Sequence, residues 1–272
     1  MMGLYAISQL IDEEQIRTYL MTNSAYAAYA LGDLEPPYSQ HAIWIGASQT
    51  GIIEGLALIY NGLDPTVLFL MGETKAISAL LMHGIGPDRV FFSIQPAIEE
   101  VLSTFYSIEH SQQMYRMLVT LETFVPFEPA QSMPLPTPLD GDHLADVTAL
   151  IAEAATNDKR DIRDIAFSPE MVQTGYYRGI YQRGRLIALA GVHLVARRAN
   201  IAAVGNVVVH PKERRQGLGS LVSHAVTQAL LDDGFDPIVL NVRQDNEPAI
   251  KIYRKLGYKV GCNFIEGAAS RR

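Results

Sequence analysis

Cysteine is nearly absent from this chain, and positive charge is scarce in its first half. A single cysteine, Cys262, among 272 residues rules out an internal disulfide and leads us to expect a reducing, cytoplasmic setting. No uninterrupted apolar run is long enough to cross a bilayer, and Asp12, Glu13 and Glu14 stand where a secretory leader would be basic. No membrane role is expected. None of the 7 histidines pairs with Cys, Asp or Glu at metal-ligand spacing, so no metal is expected either. Residues 1 to 135 hold 4 Lys/Arg against 14 Asp/Glu, a net of −10. Residues 136 to 272 hold 18 against 15, a net of +3. The acidic half argues against nucleic acid as a partner, and the mildly basic half suits an anionic ligand.

What is present is an ordinary globular composition, 48% hydrophobic and 19% charged, with enough length for two modest domains. Prolines at 126, 129, 134, 136 and 138 make residues 125 to 139 an expected linker between domains 1 to 124 and 140 to 272. In the second half the patterns place helices at His143 to Ala155 and Ser168 to Tyr176, then strands at Arg178 to Tyr181, Leu186 to Val195 and Ile201 to Val209. An apolar stripe at 218, 221, 222, 225, 226, 229 and 230 marks a helix stopped by Gly234, followed by a strand at Ile238 to Val242.

Between strand and striped helix lies Arg214-Arg215-Gln216-Gly217-Leu218-Gly219. Two glycines there let consecutive N–H groups at a helix start converge on one anion. No lysine precedes Ser220, so a nucleoside triphosphate loop does not fit, and Val222 stands where a dinucleotide fingerprint needs Gly or Ala. Downstream, Asn246-Glu247-Pro248-Ala249-Ile250-Lys251-Ile252-Tyr253-Arg254-Lys255-Leu256-Gly257-Tyr258 reads as a capped helix released by Gly257 into a last strand. Tyr253 falls two turns beyond Asn246 on the same face.

These two segments, in this order, resemble the coenzyme A loop and the Asn-x-x-Ala-x-x-x-Tyr-x-x-x-Gly-Phe/Tyr signature of the GNAT acyltransferase superfamily. The resemblance implies an α/β fold with a mixed, mostly antiparallel sheet flanked by helices and a splayed strand pair at the cofactor site. It implies acetyl-CoA as cosubstrate and a primary amine, on a small molecule or a protein, as acceptor. Backbone groups of Val207, Val208 and Val209 would face the pantetheine arm and thioester oxygen. Arg214, Arg215, Gln216, Gly217, Leu218, Gly219 and Ser220 would hold the pyrophosphate, Asn246 would bond the pantetheine, and Tyr253 would protonate the leaving thiolate. In relatives that acetylate peptide termini a glutamate sits five residues before the signature asparagine. Here that residue is Asn241, which leaves Glu266, His210 or a water chain as the base, and a catalytically silent acyl-CoA-binding module as the alternative function.

The first half repeats the element order without these signatures. Helices are expected at Asp12 to Tyr19, Ala25 to Leu31 and Thr74 to His83, and another from Pro96. Strands are expected at Ala42 to Ala47, Ile52 to Tyr60, Thr66 to Met71, Arg89 to Ser93 and Met114 to Thr120. Pro96-Ala97-Ile98 echoes Pro248-Ala249-Ile250, with Tyr106 in the register of Tyr258. In that register Ile94 and Val101 replace Asn246 and Tyr253, and a turn at Gly72-Glu73-Thr74 replaces the glycine loop. The expectation is a tandem pair whose first copy lacks a cofactor site. The charged stretch 156 to 164, together with Tyr176, Tyr177 and Tyr181, is the candidate lining for the acceptor.

Overall fold

The computed structural model describes residues 5–129, 133–157 and 167–272. Its first half runs β1 (Ala6–Leu10), α1 (Glu13–Met21), α2 (Ser24–Gly32), β2 (Ala42–Gln49), β3 (Ile52–Tyr60), β4 (Val67–Gly72), α3 (Thr74–Met82), β5 (Arg89–Ile94), α4 (Glu99–Phe105) and β6 (Tyr106–Val119). The second half runs β7 (Thr137–Pro138), α5 (Leu144–Asn157), α6 (Pro169–Val172), β8 (Arg178–Gln182), β9 (Arg185–Ala196), β10 (Ile201–Val209), α7 (Leu218–Asp232), β11 (Ile238–Arg243), α8 (Glu247–Lys255) and β12 (Lys259–Arg271). Local chemistry sets the helix starts. The Asp12 carboxylate accepts the Glu14 and Gln15 amides at 3.0 and 3.2 Å, and Asn23 and Asn246 cap α2 and α8 in the same way. At the end of α8, Gly257 takes φ +91°, a left-handed turn that a side chain would oppose.

The chain divides into two compact units, Met1–Arg116 with Gly261–Arg272, and Met117–Val260. In the first, strands follow the order β1-β2-β3-β4-β5-β12, with β6 beside β12. Among the described residues of that unit β4 and β5 run parallel, and Ile265 to Ser270 of β12 pair antiparallel with Ile94 to Arg89. Its core joins Leu68 and Leu70, Ile77 and Leu80 of α3, Val90 and Phe92, Leu102 of α4, and Ile265 and Ala269 of β12. In the second unit the order is β11-β10-β9-β8-β7, with β10 and β11 parallel. There α5 (Val147, Leu150, Ile151) and α7 (Val222, Val226, Leu230) bury apolar stripes beside the sheet residues Leu189, Val192, Ile238 and Leu240. The chain is thus a mixed α/β fold with a mostly antiparallel sheet flanked by helices, as expected.

Several details differ from the sequence expectation. Grouping residues 140 to 272 together does not match the compact units, because the last strand pairs with β5 and so belongs to the first. A cut between residues 125 and 139 separates Gly261–Arg272 from the strands it pairs with. The strand expected from Met114 begins at Tyr106, since the polar run Ser107 to Gln113 lacks the alternation that reveals a half-buried strand. β1 was not expected at all, and the helix expected over Ser168 to Tyr176 is only the four-residue α6. The proline-rich stretch is partly fastened. Thr137–Pro138 forms an edge strand on β8, where a missing N–H is tolerated, and Phe124 stacks on His224 of α7 at 5.5 Å.

The first unit also buries charge. Arg116, 3% exposed, donates to the Tyr26 carbonyl oxygen and faces the rings of Tyr29 and Phe264, each at 4.8 Å. Desolvation pushes the Glu266 carboxyl up to about 7, with Arg116 pulling the other way, and desolvation alone pushes Asp33 up to about 7. A carboxyl raised on folding favours the native state below its unfolded pKa, and that contribution is lost as pH climbs through the folded value. For Glu266 the loss between about pH 4.5 and 7 amounts to ~3 kcal/mol. Thermal melts of Glu266→Gln should therefore show a smaller drop between pH 5 and pH 8 than the parent. An unchanged drop would mean that the carboxyl is not the source.

Candidate active site

β10 lies between β9 and β11 and keeps only one of these neighbours along its whole length. Its parallel ladder with β11 runs from Ala202↔Ile238 to Val204↔Leu240 and, among the described residues, goes no further, although both strands continue. On the other side β10 stays paired with β9 as far as Val209↔Ala188. Val207, Val208 and Val209 are half-buried and lie beyond the point where β11 departs. The first unit does the opposite. There the β4–β5 ladder reaches Leu70↔Ile94 at the end of β5, and the buried Tyr26 hydroxyl lies 2.9 Å from the Leu70 carbonyl and 3.1 Å from that of Ser93.

After Val209 the chain turns on His210. Its Nδ1 accepts the Lys212 amide at 3.2 Å, which leaves Nε2 to donate to Glu153 Oε1 at 3.0 Å. With both ring nitrogens engaged, His210 is a turn residue and not a base open to substrate. Arg185 and then His210 hold the Glu153 carboxyl below the usual carboxylate range. Arg214 Nε folds back to the Val209 carbonyl at 3.3 Å, and Gln216 Nε2 donates to Glu213 at 2.9 Å. Arg215 and Gly217 both adopt left-handed backbone, φ +66° and +84°, and Gly217 is the N-cap of α7. For arginine that conformation costs about 1–3 kcal/mol, strain of a kind that concentrates at ligand sites. Arg214, Arg215, Gln216 and Gly217 are exposed, whereas the Leu218 and Ser220 side chains are buried at the start of the helix.

The two glycines serve different ends. Gly217 is required by its backbone angle. Gly219 is buried, and a β-carbon there would stand 3.1 Å from Ile252 Cδ1, so its bareness lets α8 pack against the start of α7. On α8 the Asn246 side-chain carbonyl accepts the Ala249 amide at 3.3 Å, which leaves its Nδ2 hydrogens as donors. Tyr253 is 7% exposed and edge-on to Tyr258 at 5.9 Å, and burial pushes its phenol up to about 12. Tyr258 is anchored in turn to Thr227 of α7 at 2.8 Å.

Of the remaining candidates, Asn241 sits immediately past the last β11 residue that pairs with β10, and Glu266 belongs to the first unit. Tyr176 is tied to Asp233 at 2.5 Å and Tyr181 to Asp146 at 2.7 Å. Tyr177 alone of the three reaches β10, where its hydroxyl accepts Asn206 Nδ2 at 2.9 Å. The charged candidate segment lies outside the described residues except for Thr156 and Asn157 at the end of α5. Asn206 and His193, which flank the divergence of β10, carried no sequence signal, because a bulge is not visible in a hydrophobic pattern. Among the described residues no three His, Cys, Asp or Glu side chains gather as a metal site would require, and no helix is long and apolar enough to cross a membrane.

The glycine roles separate by substitution. Gly217→Ala should cost about 1–2 kcal/mol from the left-handed angle alone. Gly219→Ala meets only the flexible tip of Ile252 and should cost less than about 1 kcal/mol. Urea unfolding of the two variants checks this, and equal losses would contradict it.

Comparison with known proteins bears on the fold and on the second half of the chain. Residues 144–258 match the family described as Acetyltransferase (GNAT) family. A curated relative, a mycothiol acetyltransferase from Paenarthrobacter aurescens, is 30% identical over 95 residues, which cover 34% of this chain and 28% of that protein. The chain thus spans under a third of the length of the curated relative it matches. Among solved structures, a GNAT-family acetyltransferase from Colwellia psychrerythraea superposes with a TM-score of 0.58 at 12% identity, covering 98% of this chain and 99% of the other. A tandem GNAT protein from the clavulanic acid biosynthesis pathway gives 0.60 at 14% identity, covering 98% of both chains. At such identities the structures speak for the fold alone, and the likeness to the GNAT acetyltransferase family rests on residues 144–258, the segment its model matches.

Proposed function

We propose that the second unit transfers an acetyl group from acetyl-CoA to a primary amine by direct attack on the thioester. The observation that carries this reading is the departure of β11 from β10 beside the left-handed start of α7. Backbone groups of Val207 to Val209 on the open side of β10 have no β11 partner to compete with a ligand. The amides from Arg215 to Ser220, at the positive end of a helix, suit a pyrophosphate. Arg214 and Arg215 add charge on the exposed side, and Asn246 offers its Nδ2 to the amide-bearing arm. The residues present therefore fit coenzyme A, which when bound supplies an activated acyl group on a good leaving thiolate.

In this reading the β10 amides donate to the acyl oxygen as negative charge grows there, a contribution of about 3–4 kcal/mol if one such donor counts as elsewhere. The new C–N bond forms as the C–S bond breaks. Tyr253, protonated at neutral pH because its phenol lies near 12, gives its proton to the departing sulfur. His210 is bonded at both ring nitrogens and Asn241 has no basic atom, which leaves Glu266 or water held by backbone carbonyls to take the proton shed by the amine. The name of the mycothiol acetyltransferase relative favours a small-molecule acceptor over a protein one.

An assay of thiol release with a panel of amines tests the reading. Tyr253→Phe should lower kcat about 100-fold with little change in the KM for acetyl-CoA. Wild-type turnover should show no alkaline fall from this phenol below about pH 11. If coenzyme A binds and Tyr253→Phe alters turnover on no acceptor, the transferase reading fails and a silent acyl-CoA-binding module takes its place.

A further inference from the structure

The ladder between β9 and β10 contains two irregularities that cancel. Ala203↔Leu194 is followed by Val204↔Val192, so His193 is an extra residue on β9. Gly205↔Gly191 is followed by Val208↔Leu189, so Asn206 and Val207 together face Ala190, and the extra residue is on β10. Beyond them Val209↔Ala188 resumes the offset of Ala203↔Leu194. One bulge alone would shift every later pair; two of opposite sense confine the distortion to a few residues.

The two bulges are joined by their side chains. Asn206 takes φ +50°, which asparagine tolerates better than other residues with a side chain, and it hydrogen-bonds His193. Its Nδ2 also donates to the Tyr177 hydroxyl at 2.9 Å and approaches Met171 Sδ at 3.8 Å. Both aromatic partners lie against bare backbone. A β-carbon on Gly205 would stand 2.3 Å from the His193 ring, and one on Gly191 would stand 2.2 Å from the Tyr177 ring. The directly paired glycines, Gly205 and Gly191, thus make room for the two rings that hold Asn206. The last β10 residue still paired with β11, Val204, lies two positions before Asn206, and the proposed cofactor-binding stretch begins one position after it.

Resting on the acyltransfer reading above, we propose that Asn206 is a positioning residue: held left-handed by Tyr177 and His193, it turns β10 away from β11 and so exposes the backbone of Val207 to Val209 to the cofactor. Its side chain acts on the strand and need not touch substrate. The left-handed angle, rather than the amide group itself, is what the cofactor site requires.

Asn206→Ala and Asn206→Gly separate these roles, because both lose the side-chain bonds but only glycine keeps the angle without strain. Measured by calorimetry, the Kd for acetyl-CoA should rise about tenfold or more in the alanine variant and stay within about threefold of the parent in the glycine variant. Amide hydrogen exchange at Val207 to Val209 in the ligand-free protein should change in the alanine variant and not in the glycine variant, even though both melt earlier. Parent-like affinity and exchange in Asn206→Ala, or equal losses in the two variants, would overturn the proposal. Should Asn206→Ala fail to fold, Tyr177→Phe decides: altered exchange at the same three amides supports the lock, and parent-like exchange overturns it. Absence of heat with acetyl-CoA in the parent would defeat the acyltransfer reading, and the exchange comparison would still judge the lock.

Discussion

A backbone that leaves its ladder must satisfy its polar groups elsewhere, and the second unit is organised around one such departure. β10 keeps β9 on one side and loses β11 on the other after Val204. The left-handed turns at Arg215 and Gly217 then open α7 without a side-chain cap. Helix α8 packs close against the buried Gly219 and brings the Tyr253 phenol, Asn246 and the Tyr258–Thr227 anchor into the same unit.

The first unit also holds a parallel strand pair, and there it stays closed. Its parallel strands β4 and β5 pair to the end of β5, and the Tyr26 hydroxyl sits on the carbonyls of Leu70 and Ser93. Where the second unit has a glycine loop, this one has Gly72-Glu73-Thr74, with Glu73 as the α3 N-cap. A carboxylate there disfavours an anionic ligand that the same helix terminus would otherwise attract. The stability of the first unit draws on the C-terminal strand, whose Ile265 and Ala269 fill its core.

Much of this organisation was legible in the chain. Strong periodicity identified β3 and β10 at their observed bounds and α7 within its apolar stripe, and cap residues identified the start of α8. Strand partners were less legible, since pairing is non-local: nothing in Lys259–Arg271 announces that its mate is Arg89–Ile94. The polar start of β6 and the short β1 lacked a hydrophobic alternation. At the site, the glycine loop and the Asn246–Tyr253 helix stood out because, in that order, they resemble two signatures of one superfamily. The Asn206–His193 lock did not, because two bulges that compensate leave the pattern on either side undisturbed. His210 could be removed from the candidate bases only once Glu153, distant in sequence, was found bonded to it.

The central claim is that main-chain amides of β10 and of the α7 start grip a thioester carrier. Amide chemical-shift mapping by NMR during titration with coenzyme A tests this most directly. The account expects the largest changes at Val207 to Val209 and at Arg215 to Ser220, saturating together. Saturable binding that leaves those amides unmoved and perturbs others would contradict it.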